Sequence, residues 1–485
     1  MVDSDDEANG IGPIAPAGSN QLAGAAATEF VGTEALDDDQ GERVVPGLTS
    51  PAEPKLNVKT ALGWAFGSTG TAVLLGSVNT LLLIYIVDHL LLSATLAGTI
   101  ISATRLFDAV IDPLMGSISD QTRSRWGRRR PYLLIGGILC ALSVLLLFSN
   151  PLGVAAQYPA IFVTVALCFY AIAYTVYAVP YITMSYELTG NPKERTLLMS
   201  YRVYASSAGL MFAQALAPWI VARGGGGMAG FAMMGYVMAA IILIACLTSF
   251  VMTAHARVIQ VDNVTQRPRL RDMGKALGNK PFVRLVGAKS CYLLGTGIQA
   301  AALAFFLTVA LEKSLAILGL LSAALLASVV LSQPFWVWVC NRIGKRNTFY
   351  LAVPLNAGAN LSWLLAQPGE SAAGFVIRGI LIGLAGGGML LVIQAMLPDT
   401  LQYESERGGV SQEGVLSGVF TTIERGVSAI SVAIAGLIMG VGGYVAGQAD
   451  QSDSAIQALY FCVAISPAIG MIMAVLVLRG YSLKH

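Results

Sequence analysis

The chain runs to 485 residues, of which 55% are hydrophobic and 12% charged, with a mean hydropathy of +0.66. Soluble domains carry about 25% charged residues, so this composition excludes an ordinary soluble module and indicates a polytopic membrane protein. The formal net charge of +2 conceals a division, because residues 1–54 hold eleven acids against the single base Arg43 and the remainder is strongly basic.

That acidic segment, residues 1–54, is rich in Ala, Gly and Pro and shows neither a helical nor a strand period, so it is expected to be a disordered tail. With no basic start and no apolar core, it does not read as a signal peptide. From Ala61 to Leu478 long apolar runs recur. A span needs about 20 residues, and the runs give helices near 60–88, 94–119, 131–149, 158–187, 197–222, 228–254, 282–311, 314–340, 348–367, 372–398, 413–441 and 455–480. Short strands of alternating polarity, the mark of a β-barrel, do not occur. The expectation is an all-α membrane protein of twelve transmembrane helices. A first six-helix bundle (55–254) and a second (282–480) are joined by a polar central loop (255–281), and a short tail (481–485) ends the chain. RWGRRRPYLL (Arg125–Leu134) after helix two and RIGKRNTFYL (Arg342–Leu351) after helix eight form a weak internal repeat six helices apart. Duplicated halves of this size point to major facilitator architecture, with solute held near mid-membrane.

Loop charges set the orientation. Eighteen Lys and Arg residues between Arg123 and Arg407 gather on one side, against Arg223 and Lys313 on the other. The positive-inside rule then places both termini in the cytoplasm of a multi-pass cell-membrane protein.

Chemistry concentrates on helix two, in RLFDAVIDPLMG (Arg105–Gly116). Arg105, Asp108 and Asp112 fall at i, i+3 and i+7, which is one helical face. Charges at bilayer depth are costly and normally face a wet pathway, an ion or a buried partner. Two carboxylates can bracket a cation, with Arg105 holding one in place. A desolvated Asp can instead carry a proton, or the trio can be a structural salt-bridge cluster.

The stretch RLFDAVIDPLMGSISDQTRSRWGRRRPYLL resembles the signature of the glycoside–pentoside–hexuronide:cation symporter family, in which an R-x-x-D-A-x-x-D-P helix precedes an R-S-R-W-G-[KR]-x-R-P loop. The similarity continues through Tyr174–Ser206 and returns at Met396–Ala429, so it covers nearly the whole chain except the tail. The resemblance implies a twelve-helix symporter in which Asp108, Asp112 and the hydroxyl of Thr175 bind the cation. It also implies that Arg202 contacts sugar, and that Arg425 lines the cavity where melibiose permeases carry lysine. Two departures stand out. Ala178 replaces an aspartate on helix four, and Thr69 falls where a sugar-binding aspartate would lie on helix one. Recognition of the melibiose type is therefore in doubt, and a sodium site lacks one anionic contribution, which tilts the coupling ion from Na+ towards H+.

Other residues carry weaker expectations. Tyr170, Tyr174, Tyr177 and Tyr181 form a stripe that suits either packing or a sugar face, and Tyr181, beside Pro180, has the better case for touching solute. Lys289 reads as snorkelling to the interface. Glu424 is expected to pair with a helix other than that of Arg425. The loop containing Asp120, Arg125, Arg128 and Arg129 reads as a gate that ties the halves together in one state, with Glu187, Glu194, Asp399 and Glu404 as natural partners; its alternative is a purely topogenic role. The six cysteines form no C-x-x-C pair and read as packing residues, and the chain offers no metal cluster. No G-x-x-x-x-G-K-[ST] motif is present, so an ATP motor is excluded.

Together these readings give a secondary transporter, not an enzyme, that needs no cofactor and moves a glycoside or similar polar solute with H+ or Na+ through the bilayer. It is expected to be a monomer without nucleic-acid partners. An amphipathic, lipid-like solute is a second reading, and a channel or non-transporting sensor is a third.

Overall fold

The computed structural model describes residues 57–150, 153, 157–189, 191–254, 256, 280–408, 413–448 and 450–479. The acidic tail 1–54, residues 257–279 of the central loop and the C-terminal residues 481–485 lie outside them. The side chains of Asp399 and Glu404 are likewise outside the described set.

The described residues form twelve helical segments in chain order and contain no strand. The first half comprises α1 (Val58–His89), α2 (Ala94–Gln121), α3 (Arg130–Ser149), α4 (Pro159–Leu188), α5 (Pro192–Arg223) and α6 (Met228–Met252). The second comprises α7 (Lys280–Phe305, continued to Ala310), α8 (Leu315–Ile343), α9 (Lys345–Leu361), α10 (Ala372–Gly408), α11 (Glu413–Val441) and α12 (Asp453–Leu478). Eleven of these are long and apolar enough to cross a membrane. The twelfth, α9, has 17 α-helical residues and gains a four-residue 3-10 turn, Ser362–Leu365. At their respective rises the two pieces reach about 33 Å, enough for a hydrocarbon core of about 30 Å.

The duplication shows most clearly in the turns. At the end of α1 the last turn widens to a π-turn, Tyr85–His89, and Leu90 N–H donates to Tyr85 O at 3.2 Å. Leu91 then takes a left-handed φ of 55°, and Ser93 caps α2 by accepting from Leu96 N–H. Six helices later α7 repeats the device with a π-turn at Phe306–Ala310, Glu312 at φ 54° and Ser314 capping α8. The widened turn leaves its carbonyls to be satisfied by the reversing chain.

Within the first half α1 packs on α5 and α6, and α3 on α4 and α6; within the second α8 packs on α10, and α7 on α11 and α12. The halves meet mainly through α2 against α11 and α5 against α8. The α2–α11 contact is closest at the start of α2. A Cβ on Gly436 would lie 2.3 Å from the Ala94 carbonyl oxygen, and one on Gly98 would lie 2.9 Å from that of Val432. Bare backbone at both positions lets Thr95 Oγ1 donate to Gly436 O at 3.2 Å and Ser102 Oγ to Ala429 O at 2.6 Å. At the same end Tyr444 Oη donates to the Asp88 carboxylate across the halves at 2.8 Å. This end is closed.

Candidate functional site

The α2 face carries the polar cluster. Asp112 is bracketed by one helix from each half. Thr175 Oγ1 of α4 donates to its Oδ1 at 2.8 Å, and Arg425 Nη1 of α11 to its Oδ2 at 2.5 Å. Thr175 is fully buried, whereas the Arg425 side chain is 52% exposed. Asp108, one turn earlier, has a buried Oδ1 with no hydrogen-bond partner. A carboxylate oxygen left unpaired at this depth is costly, and a bound cation or proton would relieve it. Asp108, Asp112, Thr175 and Arg425 are therefore brought together on the inner side of α2. Arg202 on α5 also has a buried Nε with no partner.

Several expectations are corrected. Arg105 makes its hydrogen bond not to its own helix's carboxylates but to α1, where its Nη2 donates to Asn79 Oδ1 at 2.6 Å, while its charge stays near enough to act on Asp108. Tyr181 does not reach the solute cavity. It is 2% exposed, stacks on Trp64 with ring centroids 4.8 Å apart, and donates its hydroxyl to Trp64 O. Thr69 is engaged in joining α1 to α5, donating to Ala205 O at 3.2 Å. Lys289 does not snorkel: it is 8% exposed, bonds Glu424 Oε2 at 2.8 Å and sits 4.1 Å from the Phe420 ring centroid. Adjacent residues of α11 thus point apart, Glu424 to α7 and Arg425 to α2, as neighbouring helical positions must.

The basic loop binds within its own half. Arg128 pairs with Glu187 at 2.7 Å, and Arg129 with Glu187 at 3.2 Å and Asp120 at 3.0 Å. Arg125 lies over the Trp126 ring, and Arg130 donates to Phe250 O on α6. These described contacts fasten α2, α3, α4 and α6 together, within the first half; the second-half partners expected of a gate, Asp399 and Glu404, lie outside the described side chains.

One group of residues was not singled out from the sequence. A cavity of about 330 Å³ is lined by Asn79 and Gln214 of the first half and by Gln299, Asn356, Asn360 and Trp363 of the second, among others. A neighbouring space of about 270 Å³ shares Asn79 and reaches Arg105, Ser428 and Ser431. The only prior signal was amides recurring in apolar runs, with Asn356 and Asn360 four apart. Among the described residues no group of three or more His, Cys, Asp or Glu suits a metal, and all six cysteines are free.

Comparison with known proteins agrees with this architecture. The chain is 29% identical over 399 residues to the isoprimeverose transporter of Lactiplantibacillus pentosus, covering 80% of this chain and 81% of that one. It is 25% identical over 440 residues to the inner membrane symporter YicJ of Escherichia coli strain K12, covering 88% and 92% respectively. In fold it is similar to the nucleoside transporter NupG (D323A mutant), with a TM-score of 0.62 at 16% identity over 87% of this chain and all of that one. The model of MFS/sugar transport proteins matches residues 63–485. A duplicated helical bundle, a carboxylate cluster facing its interior and these matches converge: the chain is a multi-pass membrane transporter, not an enzyme, and it belongs to the MFS/sugar transport protein family, as its glycoside–pentoside–hexuronide signature implies.

Proposed function

We propose that this protein is a cation-coupled symporter of a glycoside in the cell membrane, with both termini cytoplasmic. The carrying observation is Asp112, held by Thr175 of one half and Arg425 of the other, beside the unpartnered oxygen of Asp108. In this reading the guanidinium of Arg425 stands in for the coupling ion. The Arg425 side of the pair is 52% exposed and the Asp112 side 22%, so solvent screens the guanidinium and holds the pair to about 1 kcal/mol, and a proton or cation arriving at Asp112 displaces it without a large penalty. The released Arg425 and Arg202, whose Nε has no partner, then turn to solute hydroxyls, so ion and solute bind with positive coupling.

Closure at the α1–α2 end, with the basic loop fastened inside its own half, supports a conformation whose cavity opens towards the cytoplasm. The coupling ion in this account is a proton, because Ala178, where melibiose permeases carry an aspartate, leaves the site poor in anionic ligands for sodium. Reconstituted in proteoliposomes, the protein is expected to accumulate isoprimeverose when an inward pH gradient is imposed. Accumulation driven by sodium alone reassigns the ion. Saturable entry that no imposed gradient concentrates removes the symport reading.

A further inference from the structure

We infer that the ion pair between Lys289 of α7 and Glu424 of α11 is a positioning device. It fixes the rotation of α11 so that the next residue, Arg425, is aimed at Asp112, and it thereby sets how strongly the coupling ion is opposed. This rests on the symport reading above and gives the ion site a support that lies outside it.

The packing of α11 carries the inference. One stripe of this helix meets α7. Lys289 Nζ bonds Glu424 Oε2 at 2.8 Å and sits 4.1 Å from the Phe420 ring centroid, so it grips two positions one turn apart. Further along, a Cβ on Gly297 of α7 would lie 2.3 Å from Ser431 Oγ. Phe420, Glu424 and Ser431 stand at i, i+4 and i+11, one helical face. A second stripe, about 100° round the helix, meets α2 of the other half. There Arg425 bonds Asp112, Ala429 O accepts from Ser102, and the backbone at Val432 and Gly436 lies against Gly98 and Ala94. The offset between the stripes is the offset of Glu424 from Arg425, so the bond that fixes one residue aims the other.

The two ion pairs resist change unequally. Lys289 is 8% exposed and Phe420 5%, so turning α11 away from α7 strands a buried ammonium, which is strongly unfavourable. The Arg425 pair is screened by solvent and weak. The first pair holds the backbone still while the second opens and closes. Arg425 leaves Asp112 by moving its own side chain, and it meets the carboxylate again when the ion departs because the helix keeps it pre-aimed. Loosening α11 weakens this internal competitor.

The test is isoprimeverose uptake by the full-length protein in proteoliposomes, reading separately the H+ and Na+ concentrations that give half-maximal uptake. Lys289→Met combined with Glu424→Gln removes both charges together, which strands neither partner and leaves the net charge near Asp112 unchanged. For the ion that activates uptake, the half-maximal concentration is expected to fall about 3-fold, less than full loss of a solvated ion pair would give. In an Arg425→Gln background the same double change is expected to have no further effect, because no guanidinium is left to aim. Lys289→Arg keeps a cation bonded to Glu424 and is expected to retain the native value. Equal shifts with and without Arg425 overturn the inference and leave symport standing. So does a native value in the double variant, or a Lys289→Arg protein that behaves like it. Should the double variant not fold, Lys289→Met alone carries the same comparison. Native uptake that neither ion activates, or that does not saturate, overturns the symport reading and this inference with it.

Discussion

The closed end offers a way to move the whole transporter with one methyl-sized wedge. Gly436 faces Ala94 so closely that an added Cβ would lie 2.3 Å from a carbonyl oxygen, which belongs to backbone and has no rotamer to yield. Gly436→Val therefore penalises any state in which α2 and α11 touch here, and leaves untouched a state in which they have parted. Overpacking of this kind costs about 1–3 kcal/mol. Applied to one side of a two-state equilibrium, that shifts the population ratio by about 5- to 150-fold. Spin labels at Tyr158 and Leu365, exposed at 60% and 76% and placed in different halves at this end, report the separation by double electron–electron resonance in a background with the native cysteines replaced. The expected result is a new long-distance population that dominates in Gly436→Val and is intermediate in Gly436→Ala. An unchanged distance distribution in a folded, monodisperse variant refutes the reasoning.

Three further outcomes follow from the ion pairs. Glu424→Gln strands the ammonium of Lys289 in a site where it is 8% exposed and is expected to cost about 3–5 kcal/mol. Lys289→Met leaves a carboxylate that is 39% exposed and costs markedly less; thermal unfolding in detergent ranks them, and equal losses would contradict the assigned burial. Glu187→Gln removes the shared partner of Arg128 and Arg129 and is expected to lower the melting temperature clearly. Asp120→Asn, at a side chain 53% exposed, is expected to change stability by about 1 kcal/mol or less; the reverse order would show that the loop is held otherwise. Arg425→Gln is expected to raise affinity for the coupling ion about 5-fold, by removing its internal competitor at Asp112, while weakening the dependence of ion binding on sugar. Isothermal titration with and without isoprimeverose reads both, and a fall in ion affinity would remove Arg425 from the role of stand-in.

Much of the fold was legible because apolar run length alone nearly determines a membrane helix. Twelve runs became twelve helical segments, and most ends moved by only a few residues. Larger errors fell where a helix leaves the hydrophobic layer: α5 begins at Pro192, not near 197, and α10 runs on to Gly408, well past 398. Water-exposed turns carry no apolar signal, so periodicity falls silent there. Face arithmetic placed Asp108 and Asp112 together, because that relation is internal to one helix. It could not assign partners, which depend on how each helix is rotated against its neighbours. Arg105 therefore went to Asn79, Lys289 to Glu424, and Tyr181 into the α1–α4 packing. The amide cavity was hidden for the same reason, since Gln214, Gln299 and Asn360 come from three helices far apart in the chain.

The account stands or falls on the two carboxylates of α2 carrying the coupling ion. Accumulation of isoprimeverose against its gradient, measured in proteoliposomes under an imposed pH gradient, is expected to vanish in Asp108→Asn and in Asp112→Asn while sugar exchange persists. Undiminished uphill uptake in either variant contradicts it.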